Sequence, residues 1–255
     1  MRYHSRSITG QASRANNDYA GATCEGDGGF FVVADGTSRR GSGQLAESFV
    51  SGMLAAHSTR MEQGGYPAEP EAVERLLGSI LADFHASLPA DQTGAICYLI
   101  GLVAHDRLTV AYEGDCSCGI ATLAGAIEWI TPPHCKANWR RDRSHCELAR
   151  DPARNSVTRC LKINRVPNPD FVCCALKAVE RLVFVTDGFW ADLTQAQQSI
   201  LLAAPDSDFR VGDDDVTWID VSLARKADEL SESSAIPCRS EPAREGVVSV
   251  AESVN

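Results

Sequence analysis

The fold of this chain is decided by the segment Gly29-Phe30-Phe31-Val32-Val33-Ala34-Asp35-Gly36 and by its repetition elsewhere. Residues 29–34 are an apolar run rich in aromatic and β-branched side chains, which predicts a buried strand that ends at Asp35-Gly36. Residues 182–186 repeat this pattern before Asp187-Gly188, and residues 108–113 predict a strand that ends at Gly114-Asp115. Strands that end at an aspartate beside a glycine are thus a recurrent feature of the sequence.

Helical patterns are inserted in blocks between the strand patterns. Apolar residues recur at helical spacing in three segments, which predicts helices over 45–54, 73–88 and about 194–204. Further strands are predicted over 95–104, 118–123, 126–130 and 216–223, with a hairpin turn at Ala124-Gly125. Strands joined by short turns, with helices in blocks, favour an antiparallel α+β fold over a parallel βαβ repeat.

The composition is that of a folded, acidic protein. Of 255 residues, 44% are apolar and 23% are charged, so a sizeable core can form. The net charge of −10 argues against a nucleic-acid partner, because neutralising phosphates requires a basic surface. No apolar run reaches the roughly 18–20 residues that a membrane span needs, and no signal-peptide pattern follows the N-terminus. We therefore expect a cytoplasmic protein without a membrane partner.

Charge and composition divide the chain into regions. Residues 134–165 carry nine Lys and Arg against three Asp and Glu, within an otherwise acidic chain. This basic segment either receives an anionic partner or is a solvated surface. Residues 134–170 are polar and contain three prolines, which predicts an irregular insertion with short helices. Residues 224–255 are rich in Ser and Glu without an apolar face, which predicts a disordered tail.

Four aspartates at predicted strand ends are candidates for chemistry: Asp35, Asp115, Asp187 and Asp214. An Asp-Gly pair can simply form a turn after a strand. Several carboxylates that converge without histidine, however, suit hard cations such as Mg²⁺ or Mn²⁺. The number of such aspartates in one chain favours a metal site.

The order of short motifs resembles the metal-dependent protein serine/threonine phosphatases, the PPM or protein phosphatase type 2C family, in its bacterial form. The motifs are Arg14-Ala15-Asn16-Asn17-Asp18, Val33-Ala34-Asp35-Gly36, Gly41-x-Gly43, Thr93-Gly94-Ala95, Glu113-Gly114-Asp115, Asn155-Ser156-Val157-Thr158-Arg159, Val185-Thr186-Asp187-Gly188-Phe189-Trp190 and Asp214-Asp215-Val216-Thr217. The resemblance covers roughly residues 5–223. It implies one phosphatase domain over 1–223, built as two stacked antiparallel β-sheets flanked by helices (an α-β-β-α sandwich). Residues 134–170 then correspond to a flap beside the active site.

The resemblance also implies a chemistry, in which two Mn²⁺ or Mg²⁺ ions activate a water that hydrolyses phosphoserine and phosphothreonine in proteins. Asp35 would bridge the two ions, with the carbonyl of Gly36 as a further ligand. Asp187 and Asp214 would hold one of these ions. A third, weaker metal would bind Asp115 together with Asp187 and Asp192.

The remaining implied roles concern water and substrate. Asp18 would accept hydrogen bonds from metal-bound water, and Arg14 would bind the substrate phosphate, with Arg39 or Arg40 as substitutes. The implied partners are a phosphorylated protein and an opposing kinase.

Two departures from the family pattern leave alternatives open. Asn17 stands where the family usually has Glu or Gln, and the spacing from Arg14 to Asp18 is one residue shorter than usual. These departures motivate a catalytically weak pseudophosphatase that serves as a binding or sensing module. A minor alternative is a cysteine-dependent phosphatase, because the segment from His134 to Arg141 fits His-Cys-x5-Arg with Cys135 as nucleophile.

Overall fold

A computed structural model of the chain describes residues 1–13, 15–122, 126–176, 179, 181–223 and 239–240. The strands are β1 (Arg2–Ile8), β2 (Asp18–Glu25), β3 (Gly28–Gly36), β4 (Ile96–Ala104), β5 (Arg107–Glu113), β6 (Ser117–Ala121), β7 (Ile127–Trp129), β8 (Asp170–Ala175), β9 (Arg181–Val185), β10 (Val216–Ser222) and β11 (Arg239–Ser240). The α-helices are α1 (Ser42–Glu62), α2 (Pro70–Ser87), α3 (His145–Leu148) and α4 (Gln195–Ala203). Short 3₁₀ helices span Lys136–Asn138 and Pro152–Asn155, and a π-helical turn spans Gly188–Asp192.

The strands form two sheets in which neighbouring strands are antiparallel. One sheet has the order β1-β10-β9-β6-β7, and the other has the order β11-β8-β5-β4-β3-β2. In the second sheet, Asp35 on β3 lies opposite Asp18 on β2 and opposite Cys97 on β4. The predicted antiparallel α+β architecture is therefore confirmed.

Three apolar layers hold the sheets and helices together. Phe31 and Val33 of β3 face the other sheet, and the ring of Phe31 stacks on Phe184 with the centroids 5.0 Å apart. Phe30 and Val32 face α1 and α2 on the other side of the same sheet. Successive side chains of a strand point to opposite faces, so a strand covered on both faces has a continuous apolar run.

A third layer packs outside the other sheet, where Trp218 of β10 and Val183 of β9 meet Leu201 of α4. Helices thus cover the outer face of each sheet, which is the α-β-β-α sandwich expected above. None of the helices in the described part of the chain combines the length and apolar character that crossing a membrane requires.

Most predicted elements are confirmed, and the differences are local. Four strands were not predicted: β1, β2, β8 and β11. β1 is an edge strand in which no residue is buried, so its sequence lacks an apolar run. The turn at Ala124-Gly125 lies outside the described residues except for its flanks. The predicted tail, 224–255, also lies outside them, apart from the two residues of β11, which pair with β8.

Candidate active site

The site forms where the two sheets meet at one end of the sandwich. Asp18 opens β2 and lies opposite Asp35 near the end of β3. From the other sheet, Thr186 follows β9, and its hydroxyl donates a 2.7 Å hydrogen bond to Oδ2 of Asp18. Asp187 is the next residue, and Asp214 precedes β10, the strand paired with β9. The strand ends therefore bring together aspartates that are far apart in sequence.

Five carboxylates lie close together at this end of the sandwich, and the pKa of each is raised. Burial raises the pKa of Asp35 well above its usual range, and the charges of Asp18, Asp187, Asp115 and Asp214 raise it further. Burial likewise raises the pKa of Asp18 to about 7, despite the hydrogen bond from Thr186. The pKa values of Asp115, Asp187 and Asp214 are raised as well, again first by burial. Buried like charges are costly, and a divalent cation among them would offset that cost.

Asp115 supplies a direct test of whether a cation fits. Its side chain is 3% exposed, and its Oδ1 atom has no hydrogen-bond partner among the described residues. Ligand atoms of Asp35, Cys97 and Asp115 lie within 4.8 Å of one another. A buried carboxylate oxygen without a partner is strongly unfavourable unless an ion or a donor binds it. The donor set of oxygens with one sulfur therefore fits a divalent cation.

Arg154 enters the site from the 3₁₀ helix Pro152–Asn155. Its Nη1 donates to Oδ2 of Asp187 at 3.1 Å, and its Nη2 donates to Oδ1 of Asp192 at 2.5 Å. The guanidinium therefore links the flap to two of the predicted metal ligands. Arg154 belongs to the basic segment, but no sequence pattern assigns it to the site, since its partners Asp187 and Asp192 are more than 30 residues away in the sequence.

Asp215, a residue that was not proposed for the site, holds the backbone before β2 at Gly10 and at Asn17, the second of which belongs to the first predicted motif. Oδ1 of Asp215 accepts from the backbone N–H of Gly10 at 2.8 Å, and Oδ2 accepts from that of Asn17 at 2.9 Å. The side chain of Asn17 packs against the start of α1, where a Cβ on Gly43 would lie 2.5 Å from Oδ1 of Asn17. Asn17 therefore has a packing role at the beginning of this helix.

The predicted residues around the phosphate are not all brought to the carboxylates. Gly36 is buried at the end of β3, and its N–H donates to the carbonyl of Asn17 at 3.1 Å. Arg39 and Arg40 are exposed in the loop before α1, and neither forms an ion pair with a described carboxylate. Arg14 lies outside the described residues, so its predicted role remains a prediction.

The structure does not support the cysteine-dependent alternative. Cys135 is buried, and burial raises the pKa of its thiol, which opposes formation of a nucleophilic thiolate. Arg141 forms an ion pair with Asp170. His134 accepts the N–H of Gly114 at Nδ1 and hydrogen-bonds Asp170 through Nε2, which fits a structural role for this segment. The His-Cys-x5-Arg pattern is therefore coincidental.

Comparisons with known proteins agree with the architecture. No protein-family model matches the chain, and no curated protein matches its sequence. Among solved structures, the serine/threonine phosphatase Stp1 from Staphylococcus aureus is 17% identical with a TM-score of 0.69, covering 88% of this chain and 95% of its own. The serine/threonine phosphatase PstP/Ppp of Mycobacterium tuberculosis is 17% identical with a TM-score of 0.68, covering 88% and 99%.

A third similar structure is that of a phosphatase of the PPM family. The PPM Ser-Thr phosphatase MsPP from Mycobacterium smegmatis, in complex with cacodylate, is 17% identical with a TM-score of 0.59, covering 88% of this chain and 99% of its own. At this level of identity the likeness concerns the fold. The chain has the fold of the bacterial PPM serine/threonine phosphatases, as the motifs predicted.

Proposed function

We propose that this protein is a metal-dependent serine/threonine protein phosphatase of the bacterial PPM type. The observation that carries the proposal is the convergence of five carboxylates from both sheets around Asp35, at the end of the sandwich. The likeness of the whole fold to phosphatases supports the same conclusion. The substrate would be a protein phosphorylated by an opposing kinase in the cytoplasm.

The residues that would hold the ions are the ones that the resemblance implied. Asp35, Asp187 and Asp214, with the carbonyl of Gly36 as a further ligand, would hold two Mn²⁺ or Mg²⁺ ions. Asp115 and Asp192, together with Asp187, would hold a third, weaker ion. Bound ions would activate water for attack on phosphorus and offset the charge of the phosphoryl oxygens.

The chain itself would orient the reactants. Oδ2 of Asp18 accepts from Thr186, which leaves Oδ1 to orient the attacking water. Arg14, or Arg39 or Arg40 in its place, would bind the substrate phosphate, and guanidinium groups suit this bidentate contact. The basic flap over 134–170 would receive the phosphoprotein, since Arg154 of the flap reaches the carboxylates directly.

A second candidate function is a catalytically weak binding or sensing module. The ion pairs of Arg154 with Asp187 and Asp192 favour it, because they partly neutralise residues that would otherwise bind metal. Asn17 in the first motif favours it as well. Turnover distinguishes the two candidates, because a pure binding module would not hydrolyse a phosphorylated substrate in the presence of metal.

The test is hydrolysis of para-nitrophenyl phosphate and of a phosphothreonine peptide by the purified protein. It is run with Mn²⁺, with EDTA, and with the variants Asp187→Asn and Cys135→Ser. We expect Mn²⁺-dependent turnover that Asp187→Asn abolishes and Cys135→Ser retains. Metal-independent turnover that is lost in Cys135→Ser would overturn the proposal in favour of a thiol mechanism. A folded wild-type protein without turnover under any condition would make the binding module the better description.

A further inference from the structure

Cys97 is a buried thiol among the carboxylates of the site, and neither the predicted roles nor the proposed mechanism uses it. It lies directly opposite Asp35 in the pairing of β3 with β4. Residues opposite each other in antiparallel strands project their side chains to the same face. The row Asp18, Asp35 and Cys97 therefore runs across three adjacent strands on one side of the sheet.

The surroundings leave room for the sulfur and direct it toward oxygen ligands. Cys97 is fully buried, and its sulfur lies within 4.8 Å of a carboxylate oxygen of Asp35 and of Asp115. Gly114, which precedes Asp115, has a φ of +107°, and a Cβ there would lie 2.5 Å from the Cys97 sulfur. Glycine at this position thus keeps the space around the sulfur open.

A second observation indicates that an ion belongs at this point. Asp115 is 3% exposed, yet its Oδ1 atom has no hydrogen-bond partner among the described residues. One ligand atom each from Asp35, Cys97 and Asp115 lies within 4.8 Å of the other two. A cation bound among these three atoms would supply the partner that the Asp115 oxygen lacks.

We propose that the sulfur of Cys97 is an additional ligand to a divalent cation held between Asp35 and Asp115. This proposal rests on the proposed metallophosphatase function. On binding, the sulfur forms a bond to the cation and the thiol proton is released to solvent. Thiolate ligands favour transition-metal cations over Mg²⁺, which prefers oxygen ligands alone. The chain would therefore select transition-metal ions over Mg²⁺ at this position.

The test uses Co²⁺ as the probe, because a cobalt–sulfur bond produces a charge-transfer band in the near ultraviolet. Metal-free full-length protein is titrated with Co²⁺ as wild type, Cys97→Ser and Cys116→Ser. Cys116 is the matched control, since it is also fully buried and follows Asp115 in sequence. Far-ultraviolet circular dichroism establishes that each variant is folded, and Cys97→Ala replaces Cys97→Ser where the serine variant is not.

We expect the band in wild type and in Cys116→Ser but not in Cys97→Ser, with Co²⁺ affinity lower by about tenfold or more in the latter. Mg²⁺ affinity should change less than Co²⁺ affinity. A band that persists in Cys97→Ser, or that is lost only in Cys116→Ser, would overturn the assignment.

Turnover of para-nitrophenyl phosphate with Mn²⁺ is measured on the same samples, so that the two proposals fail separately. Turnover without a cobalt–sulfur band in wild type rejects the ligand role of Cys97 and leaves the phosphatase function intact. A band that depends on Cys97 without any turnover supports the ligand and rejects the enzyme.

Discussion

Thr186 donates a 2.7 Å hydrogen bond to Oδ2 of Asp18, and this bond joins the two sheets where the carboxylates converge. The hydroxyl oxygen of Thr186 also accepts the backbone N–H of Thr217 at 3.1 Å. One buried hydroxyl thus connects β9, β10 and the start of β2. The position of Asp18 depends on packing between sheets as much as on its own strand.

The substitution Thr186→Val should weaken both fold and function. It removes the donor to Asp18 and the acceptor for Thr217, leaving two buried polar groups unsatisfied. We expect the free energy of unfolding to fall by about 2 kcal/mol and turnover to drop, because Asp18 loses its orientation. Thr186→Ser retains both bonds and should lose less than about 1 kcal/mol. Urea unfolding and hydrolysis of para-nitrophenyl phosphate measure the two effects; equal behaviour of the two variants would contradict the role of the hydroxyl.

The substitution Asp35→Asn should abolish turnover without loss of fold. Metal catalysis contributes several kcal/mol, so we expect a decrease of at least about 1,000-fold. In EDTA the variant should be more stable than wild type, since burial and four neighbouring carboxylates penalise the charge of Asp35. The exposed Asp27, outside the site, provides the control Asp27→Asn. Normal turnover in Asp35→Asn would show that this residue does not bridge the ions.

The substitution Arg154→Gln should strengthen cation binding. The guanidinium contacts Asp187 and Asp192, so a bound cation must overcome its charge. Removing that charge favours the cation by about 1 kcal/mol, or roughly fivefold in affinity. Isothermal titration with Mn²⁺ measures this change, and Arg150→Gln on the same flap is the control because Arg150 is exposed. Unchanged affinity in Arg154→Gln would mean that Arg154 moves away from the carboxylates without cost.

Secondary-structure elements with a strong local pattern could be predicted from the sequence. β3 is buried on both faces and reads as one apolar run, so it and Asp35 at its end were predicted. β1 lacks such a run because it is a half-exposed edge strand. Its pairing with β10, more than 200 residues away, is visible only in the fold.

Some residues of the candidate site could likewise be predicted from the sequence, and others could not. The aspartates could be predicted because each ends or begins a strand in a recognisable motif. The contact of Arg154 with Asp187 could not, because it depends on how an irregular segment folds over the sheet end. The position of Cys97 beside Asp35 follows from the register of β3 and β4, which the sequence alone does not determine.

His145 should make stability depend on pH. Burial lowers its pKa from 6.5 to about 3, and its ring lies against Trp129 and Trp190. Below pH 6.5 the unfolded chain binds a proton that the folded chain excludes, so the free energy of unfolding falls as the pH falls toward 3. The buried carboxylates have the opposite sign, and comparison with His145→Phe isolates the histidine, since phenylalanine preserves the ring packing. From about pH 7.5 to about pH 5, wild type should lose about 2 kcal/mol relative to His145→Phe. Urea unfolding at both pH values measures this difference, and a constant difference would show that His145 is protonated in the folded protein.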